Sequence, residues 1–435
     1  MWTYDIPKRK GAGKRAEGPP RGDLRVLMCN AFYYERGGSE SYTFALTAEF
    51  VKRGHEVVPF SMKHERNLPS EYEKFFVSNV DFSALAGGFK WARKLSSAGR
   101  VLYSVEARKR VASLIEATKP DIAHVHNIAH HLSPSILPVI KAHGIPIVQT
   151  LHDYKLICPN TLLFFGGHTC VRCKGGKYYR SVLSRCKKNS VLASALAALE
   201  LHVHRLLRIY EKNVDVFICS SRFLRDTMID FGIDQRKLVH IPNFVDVEAY
   251  APALTRQDHI VYFGRLSLEK GVDTLIDAVR ELPGATLYIT GEGPQRAELE
   301  ALAEGADNVK FVGHVEQRVL RELVGSAMFV VIPSLCYENA PMSVYEAFAL
   351  GVAVVGSRIG GIPELIKDGE TGLLFHPGDS EDLRDKIQSM LADKPRAIAM
   401  GAKARQRVEN EFGAARHYDA VMRVYRGLLL RQNPS

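Results

Sequence analysis

Apolar residues come in short runs, divided by stretches of helical spacing. Leu24–Cys29 reads as a buried strand, followed by a loop ending in Gly37-Gly38. Tyr42, Ala45, Leu46, Glu49 and Phe50 then recur at helical intervals across Ser39–Arg53, and His55–Phe60 predicts the next strand. Asp121–His126, Ile145–Leu151 and Val214–Ser220 repeat the pattern, with a long helical run over Ser190–Lys212. Between 156 and 190 the periodicity stops, and Leu238–Asp246 reads as a strand and turn forming a linker. A second strand series follows: Ile260–Gly264, Thr286–Thr290, Lys310–Gly313, Met328–Ile332, Ala353–Gly356 and Gly372–Phe375. Continuous apolar strands alternating with helices imply parallel sheets covered on both faces. The expected fold class is α/β, with two Rossmann-like doubly wound domains facing across a cleft. The expected boundaries are 22–220 and 221–400, with helices over 401–435 crossing back to the first domain. Residues 1–21 read as a disordered basic tail. In such sheets ligands sit at the carboxyl ends of the strands.

The chain of 435 residues is long enough for two full cores, and 46% hydrophobic with 24% charged residues is ordinary globular composition. No run approaches the ~18 apolar residues of a membrane span, and no apolar stretch follows the basic N-terminus. A cytoplasmic protein with reduced thiols is expected. The net charge of +10 divides into +15 over residues 1–220 and −5 over the remainder. No nucleic-acid module is recognisable, and basic residues are not interleaved with stacking aromatics. The excess is read as a surface for an anionic membrane or a phosphorylated acceptor, at the inner face of a membrane.

Three strand-end loops carry the chemistry. Gly264–Gly271 holds Arg265 and Lys270, a bidentate donor and a point charge suited to a diphosphate. Gly291 lies in a Gly-Glu-Gly-Pro turn of the same series. In Pro333–Phe348, Pro341 fits the first helical position, with Asn339 or Ala340 near the cap and a free helix N-terminus as an anion site. Glu338 precedes that helix, and Glu346 lies five residues into it, ~7.5 Å along its axis. Two carboxylates so placed grip a ligand at two points.

Glu338 and Glu346 resemble the E-x7-E element of the retaining family-4 glycosyltransferases of the GT-B fold. Gly264–Gly271 looks like that family's donor-phosphate loop, Ile241-Pro242-Asn243 like its linker, and Gly37-Gly38-Ser39-Glu40 like its N-terminal glycine loop. The likeness covers about 24–400. It departs at Asn339-Ala340, where many members have Gly-Phe, so the donor sugar stays open. The resemblance implies transfer of a hexose from a UDP- or GDP-sugar to a glycan or lipid-linked acceptor, with retention, in surface polysaccharide or glycolipid synthesis. Arg265 and Lys270 would neutralise the leaving diphosphate, in place of a catalytic divalent metal. Gly37 and Gly38 would approach the same phosphates. Asn339, Ala340, Pro341 and Met342 would form the anion-binding helix start. Glu338 would hold the donor sugar, Glu346 the ribose, and the loop around Gly313 would flank the base. The alternative is a nucleotide-sugar epimerase of the same fold.

Histidines are dense in the first half. His152 follows a strand into the cleft, and the resemblance has it contact sugar or acceptor; His126 is a weaker candidate of the same kind, and His124, His130, His131 and His143 read as solvated or packing residues. Cys158, Cys170, Cys173 and Cys186 lie in the aperiodic insert as C-x11-C-x2-C-x12-C. Four thiolates suit structural zinc, with an iron–sulfur cluster or four free thiols as the other readings. The insert is expected to border the acceptor side. Cys29, Cys219 and Cys336 read as buried small hydrophobes.

Overall fold

The computed structural model describes residues 23–432 apart from 80–98, 101 and 283; the tail expected over 1–21 lies outside the described residues. Six parallel strands form the first sheet: β1 (Arg25–Cys29), β2 (Glu56–Phe60), β3 (Ile122–Val125) and β4 (Ile147–Leu151), then β7 (Val216–Cys219) and β8 (Leu238–His240). Their order is β2-β1-β3-β4-β7-β8. The short hairpin of β5 (Phe164–Phe165) and β6 (His168–Thr169) interrupts the series inside the cysteine-rich segment.

Strand alternation splits the apolar run of β1 between two cores. Leu27 and Cys29 face the helices Val105–Thr118 and Ile136–Ala142. Val26 and Met28 face Tyr42, Leu46 and Phe50 of the helix Gly38–Lys52. The second sheet holds β9 (His259–Phe263), β10 (Thr286–Thr290), β11 (Val309–Gly313), β12 (Phe329–Ile332), β13 (Ala353–Ser357) and β14 (Gly372–Phe375). Its order is β11-β10-β9-β12-β13-β14, all parallel. Ile260 and Tyr262 of β9 enter one core, Val261 and Phe263 the other.

Two expected boundaries move. The first domain does not end at 220: β8 pairs with β7 in parallel register, Phe217 opposite Leu238, so the helix Arg222–Asp230 and β8 belong to the first domain. Three residues before Pro242 are too short a strand for periodicity to separate from a linker. Nor does the second domain end at 400. The helix Lys394–Glu411 places Met400 in one second-domain core and Ala404 and Val408 in the other. Only Ala414–Gln432 returns to the first sheet, where Tyr418, Val421, Met422 and Tyr425 pack beside Phe50. The single helix expected over 190–212 is two, broken where Arg208 adopts a left-handed φ of 51°.

Candidate active site

The loops after β9, β10 and β11 stand side by side because their strands do. Gly291 N–H donates to the Gly313 carbonyl at 2.9 Å, and a Cβ on Gly291 would collide with the Gly264 carbonyl. Gly264 and Arg265 are exposed, and the Arg265 guanidinium makes no ion pair among the described residues. Lys270 is engaged: its Nζ lies 2.5 Å from Glu338 Oε1, which also accepts from Ser334 Oγ at 2.9 Å. Burial alone would push the Lys270 ammonium down. The adjoining Glu338 carboxylate outweighs it and holds the group above the ordinary lysine range. The pair is fixed by backbone, since the Leu335 and Cys336 amides both donate to the Glu269 carbonyl. The loop after β9 and the loop carrying Glu338 are thus one unit.

The helix carrying Glu346 runs over Met342–Ala349, with Pro341 as its N-cap rather than its first helical residue. No side chain caps it, which leaves N–H groups open at its start. From the first domain Gly38 reaches this point, where an added Cβ would stand 3.3 Å from Met342 Cγ. Gly37 lies beside it with extended backbone. Asn339 crosses the cleft too, donating from Nδ2 to the His152 carbonyl at 2.9 Å, and Ala340 accepts from Asn243 Nδ2. Asn339 Oδ1 is buried with no hydrogen-bond partner. Burial pushes the Glu346 carboxyl up to about 7, with Arg321 opposing the shift and Glu35 adding to it.

His152, half-buried, ends a chain of rings whose other members are buried. His126 Nε2 lies 3.0 Å from Met28 Sδ, and His126 Nδ1 lies 3.0 Å from His152 Nε2. A thioether has no proton to give, so His126 must donate from Nε2. Burial holds His126 well below its ordinary value and His152 at about 4, so both rings are neutral at pH 7. His126 Nδ1 is therefore an acceptor, and His152 must donate to it from Nε2. The network assigns His152 one tautomer, with the Nδ1 lone pair left over. His126 thus orients the ring rather than meeting a ligand. His124 is also buried, between Tyr425 and Thr150 hydroxyls at 2.6 and 2.7 Å.

Cys158, Cys170, Cys173 and Cys186 line a single small cavity. Burial and the neighbouring sulfurs push Cys173 up to about 12 and Cys186 up to about 11. The set is not closed as a metal cage. No three of these sulfurs lie within 4.8 Å of one another among the described residues, whereas ~2.3 Å Zn–S bonds at tetrahedral angles need ~3.8 Å. Cys158 Sγ instead donates to Asn160 Oδ1 at 2.9 Å. Cys29, Cys219 and Cys336 are buried.

Sequence reasoning missed four residues. Arg321 and Glu35 act on Glu346 from separate elements, so no spacing announces them. Glu364 accepts from the Arg222 and Phe223 amides at 2.8 and 2.6 Å, capping a first-domain helix from the second domain. Gly361 abuts the Asn339 carbonyl and donates its N–H to the Glu338 carbonyl at 2.7 Å; the Gly360-Gly361 pair was its available signal.

Residues 36–249 match the family model described as Glycosyltransferase Family 4, and residues 251–407 match Glycosyl transferases group 1. The chain is 26% identical over 427 residues to a glycogen synthase of Mycobacterium tuberculosis, covering 92% of this chain and 94% of that one. It is 27% identical to the sulfoquinovosyl transferase SQD2 of Arabidopsis thaliana over 71% of this chain, but spans only 57% of that protein. A sucrose-phosphate synthase from Thermosynechococcus elongatus superposes with a TM-score of 0.68 at 21% identity, covering 94% of this chain and 100% of that one. HepE of Anabaena, solved in complex with UDP-glucose, gives 0.64 at 17% identity, covering 93% and 100%.

Proposed function

Since this chain is a glycosyltransferase of the GT-B fold, we propose that it transfers a hexose from a UDP- or GDP-sugar, with retention, to a glycan or lipid-linked acceptor. The observation that carries this reading is the Lys270–Glu338 pair, held beside the uncapped start of Met342–Ala349. Each group now neutralises the other. An entering diphosphate would draw Lys270 to itself, joined by Arg265 and the open N–H groups, and so free Glu338 to accept from sugar hydroxyls. Gly37 and Gly38 would bring backbone to the phosphates from the opposite wall. The C1–O bond breaks with its electron pair going to the diphosphate. The acceptor hydroxyl attacks C1 from the same face, and its proton passes to a leaving phosphate oxygen. Cations on the leaving group lower that barrier without a protein nucleophile or a divalent metal at the donor site. His152 Nδ1, the free acceptor of its ring, would take a hydrogen bond from a substrate hydroxyl. Gly291 and the Gly313 loop would border the base.

The test is nucleotide release from UDP- and GDP-hexoses with glycan and lipid-linked acceptors, followed by NMR of the anomeric centre. A product of unchanged anomeric configuration is expected. An inverted product, no release from any of the donors, or epimerisation of the donor without an acceptor overturns the reading.

Glu346 would receive the ribose hydroxyls in its charged form. With its carboxyl at about 7, most of the protein is protonated there at pH 6 and ionised at pH 8. Donor KM should therefore fall as pH rises across this interval. Glu346→Gln should raise KM at pH 8 about tenfold, the loss of a hydrogen bond to a charged group, and flatten the profile. An unchanged KM profile in the variant removes the ribose role.

For the insert, we propose that a structural zinc draws Cys158, Cys170, Cys173 and Cys186 together as thiolates, displacing the Cys158–Asn160 contact. Elemental analysis of the purified chain should find about one zinc per chain at four thiolate ligands; finding none rejects it, and finding iron assigns the cluster instead.

A further inference from the structure

The helix Val191–Leu207 is built the wrong way round for one that serves only the core. Its buried side carries mostly small or polar residues, Ser194, Ala197, Ala198, Glu200 and His204, with Leu201 the one leucine among them. Three of its leucines point outward: Leu192 is 83% exposed, Leu199 50% and Leu206 75%. At seven-residue spacing these three lie on one line, opposite Ser194, Ala197, Leu201 and His204. The adjoining helix Tyr179–Leu183, in the cysteine insert, adds Leu183 at 78% and Tyr179 at 58%.

Charge identifies what covers this face. Residues 161–210 contain nine Lys and Arg against a single acidic residue, Glu200. Glu200 is fully buried, 2.6 Å from Lys155 Nζ, so it offers the surface no negative charge. Lys177, Arg180, Arg185, Lys188, Arg205 and Arg208 are all exposed. Even with Asp230 paired to Lys174 at its edge, the segment keeps an excess of exposed cations, so a second copy of the chain seated here would set like charge against like. A bilayer bearing anionic headgroups satisfies both features at once, taking the leucines into the acyl boundary and the cations at the phosphates. No described helix is long and apolar enough to cross a membrane.

We propose that Val191–Leu207, with the cysteine insert, is an interfacial anchor that docks the first domain on an anionic membrane surface. The anchor lies in the same domain as His152, downstream of β4, and so would hold the acceptor side of the cleft at the bilayer. This deepens the acceptor reading above, but vesicle binding is read without any sugar transfer, so either can fail alone.

The test is flotation of the full chain with phosphatidylcholine vesicles, with and without phosphatidylglycerol, at low and high salt. Binding only to the anionic vesicles is expected, weakened by salt. The triple variant Leu192→Ser, Leu199→Ser, Leu206→Ser should lose at least about tenfold in partition, with circular dichroism and nucleotide release on a soluble acceptor unchanged. Lys177→Glu, Arg180→Glu, Lys188→Glu should lose a comparable factor, with a flatter salt dependence. Absence of binding to anionic vesicles overturns the proposal. So does equal binding by the serine variant, or a solution dimer that the serine variant dissolves.

Discussion

Lys270→Ala is expected to lower kcat for transfer by about a thousandfold, the upper end of what a single preorganised charge donor contributes to a transition state. Two effects add. The diphosphate loses the cation held against Glu338, and Glu338 loses the partner 2.5 Å away that offsets its partial burial. With no diphosphate-bound ammonium beside it, the half-buried carboxylate keeps only the Ser334 hydroxyl or recruits another cation, and it is no longer placed against the sugar by the group that also holds the phosphates. The two effects separate by a double variant. Glu338→Gln in the Lys270→Ala background removes the stranded charge, so the loss for the pair should be well below the product of the single losses. Steady-state nucleotide release for the four proteins, with thermal melting as a control for folding, reads both quantities. A Lys270→Ala enzyme within about threefold of the parent would show that Arg265 and the helix N-terminus suffice, and the pairing would be structural.

The strands were legible because parallel sheets covered on both faces leave continuous apolar runs, and Leu24–Cys29 or Met328–Ile332 resembles little else. The strand-end loops followed from that order, and with them the positions of Arg265, Lys270, Glu338 and Glu346 in the fold. The boundaries were not legible. Leu238–His240 is a strand by virtue of its pairing with β7, and Lys394–Glu411 belongs to the second domain by virtue of what Met400 and Val408 touch. Neither fact is local. The site failed in the same way. Lys270 and Glu338 carried separate roles in the sequence, one for phosphate and one for sugar, and only the fold shows that they occupy each other first. His126 looked like a lesser copy of His152 until Met28, brought alongside on β1, settled which nitrogen holds its proton. The outward leucines of Val191–Leu207 are invisible to a reading that treats every apolar stripe as core.

The close approach of the Lys270 loop to the Glu338 loop depends also on a residue that the sequence presented only as a turn. Gly271 has a φ of 63°, and a Cβ there would run into the Pro333 carbonyl and stand 3.0 Å from Leu335 Cγ. Gly271→Ala should therefore combine two penalties. The left-handed backbone costs roughly 1–2 kcal/mol for any L-residue. The collision is with backbone that cannot rotate away, and overpacking of this kind typically costs ~1–3 kcal/mol more. Relief requires the Lys270 turn to withdraw from Pro333–Glu338, which parts Nζ from Oε1. A displacement of about 1 Å in a positioned group is enough to cost ~100-fold in rate, so activity should drop by that order in a protein that still folds. Gly305 supplies the control. Its φ is 79°, but nothing lies within 4 Å of where its Cβ would be. Gly305→Ala should thus lower the melting temperature through the backbone penalty alone and leave kcat unchanged. Equal losses of activity in the two variants would mean that backbone strain, not the approach to Pro333, governs the site; activity lost at 271 alone, with both proteins folded, assigns the coupling of Lys270 to Glu338 to that contact.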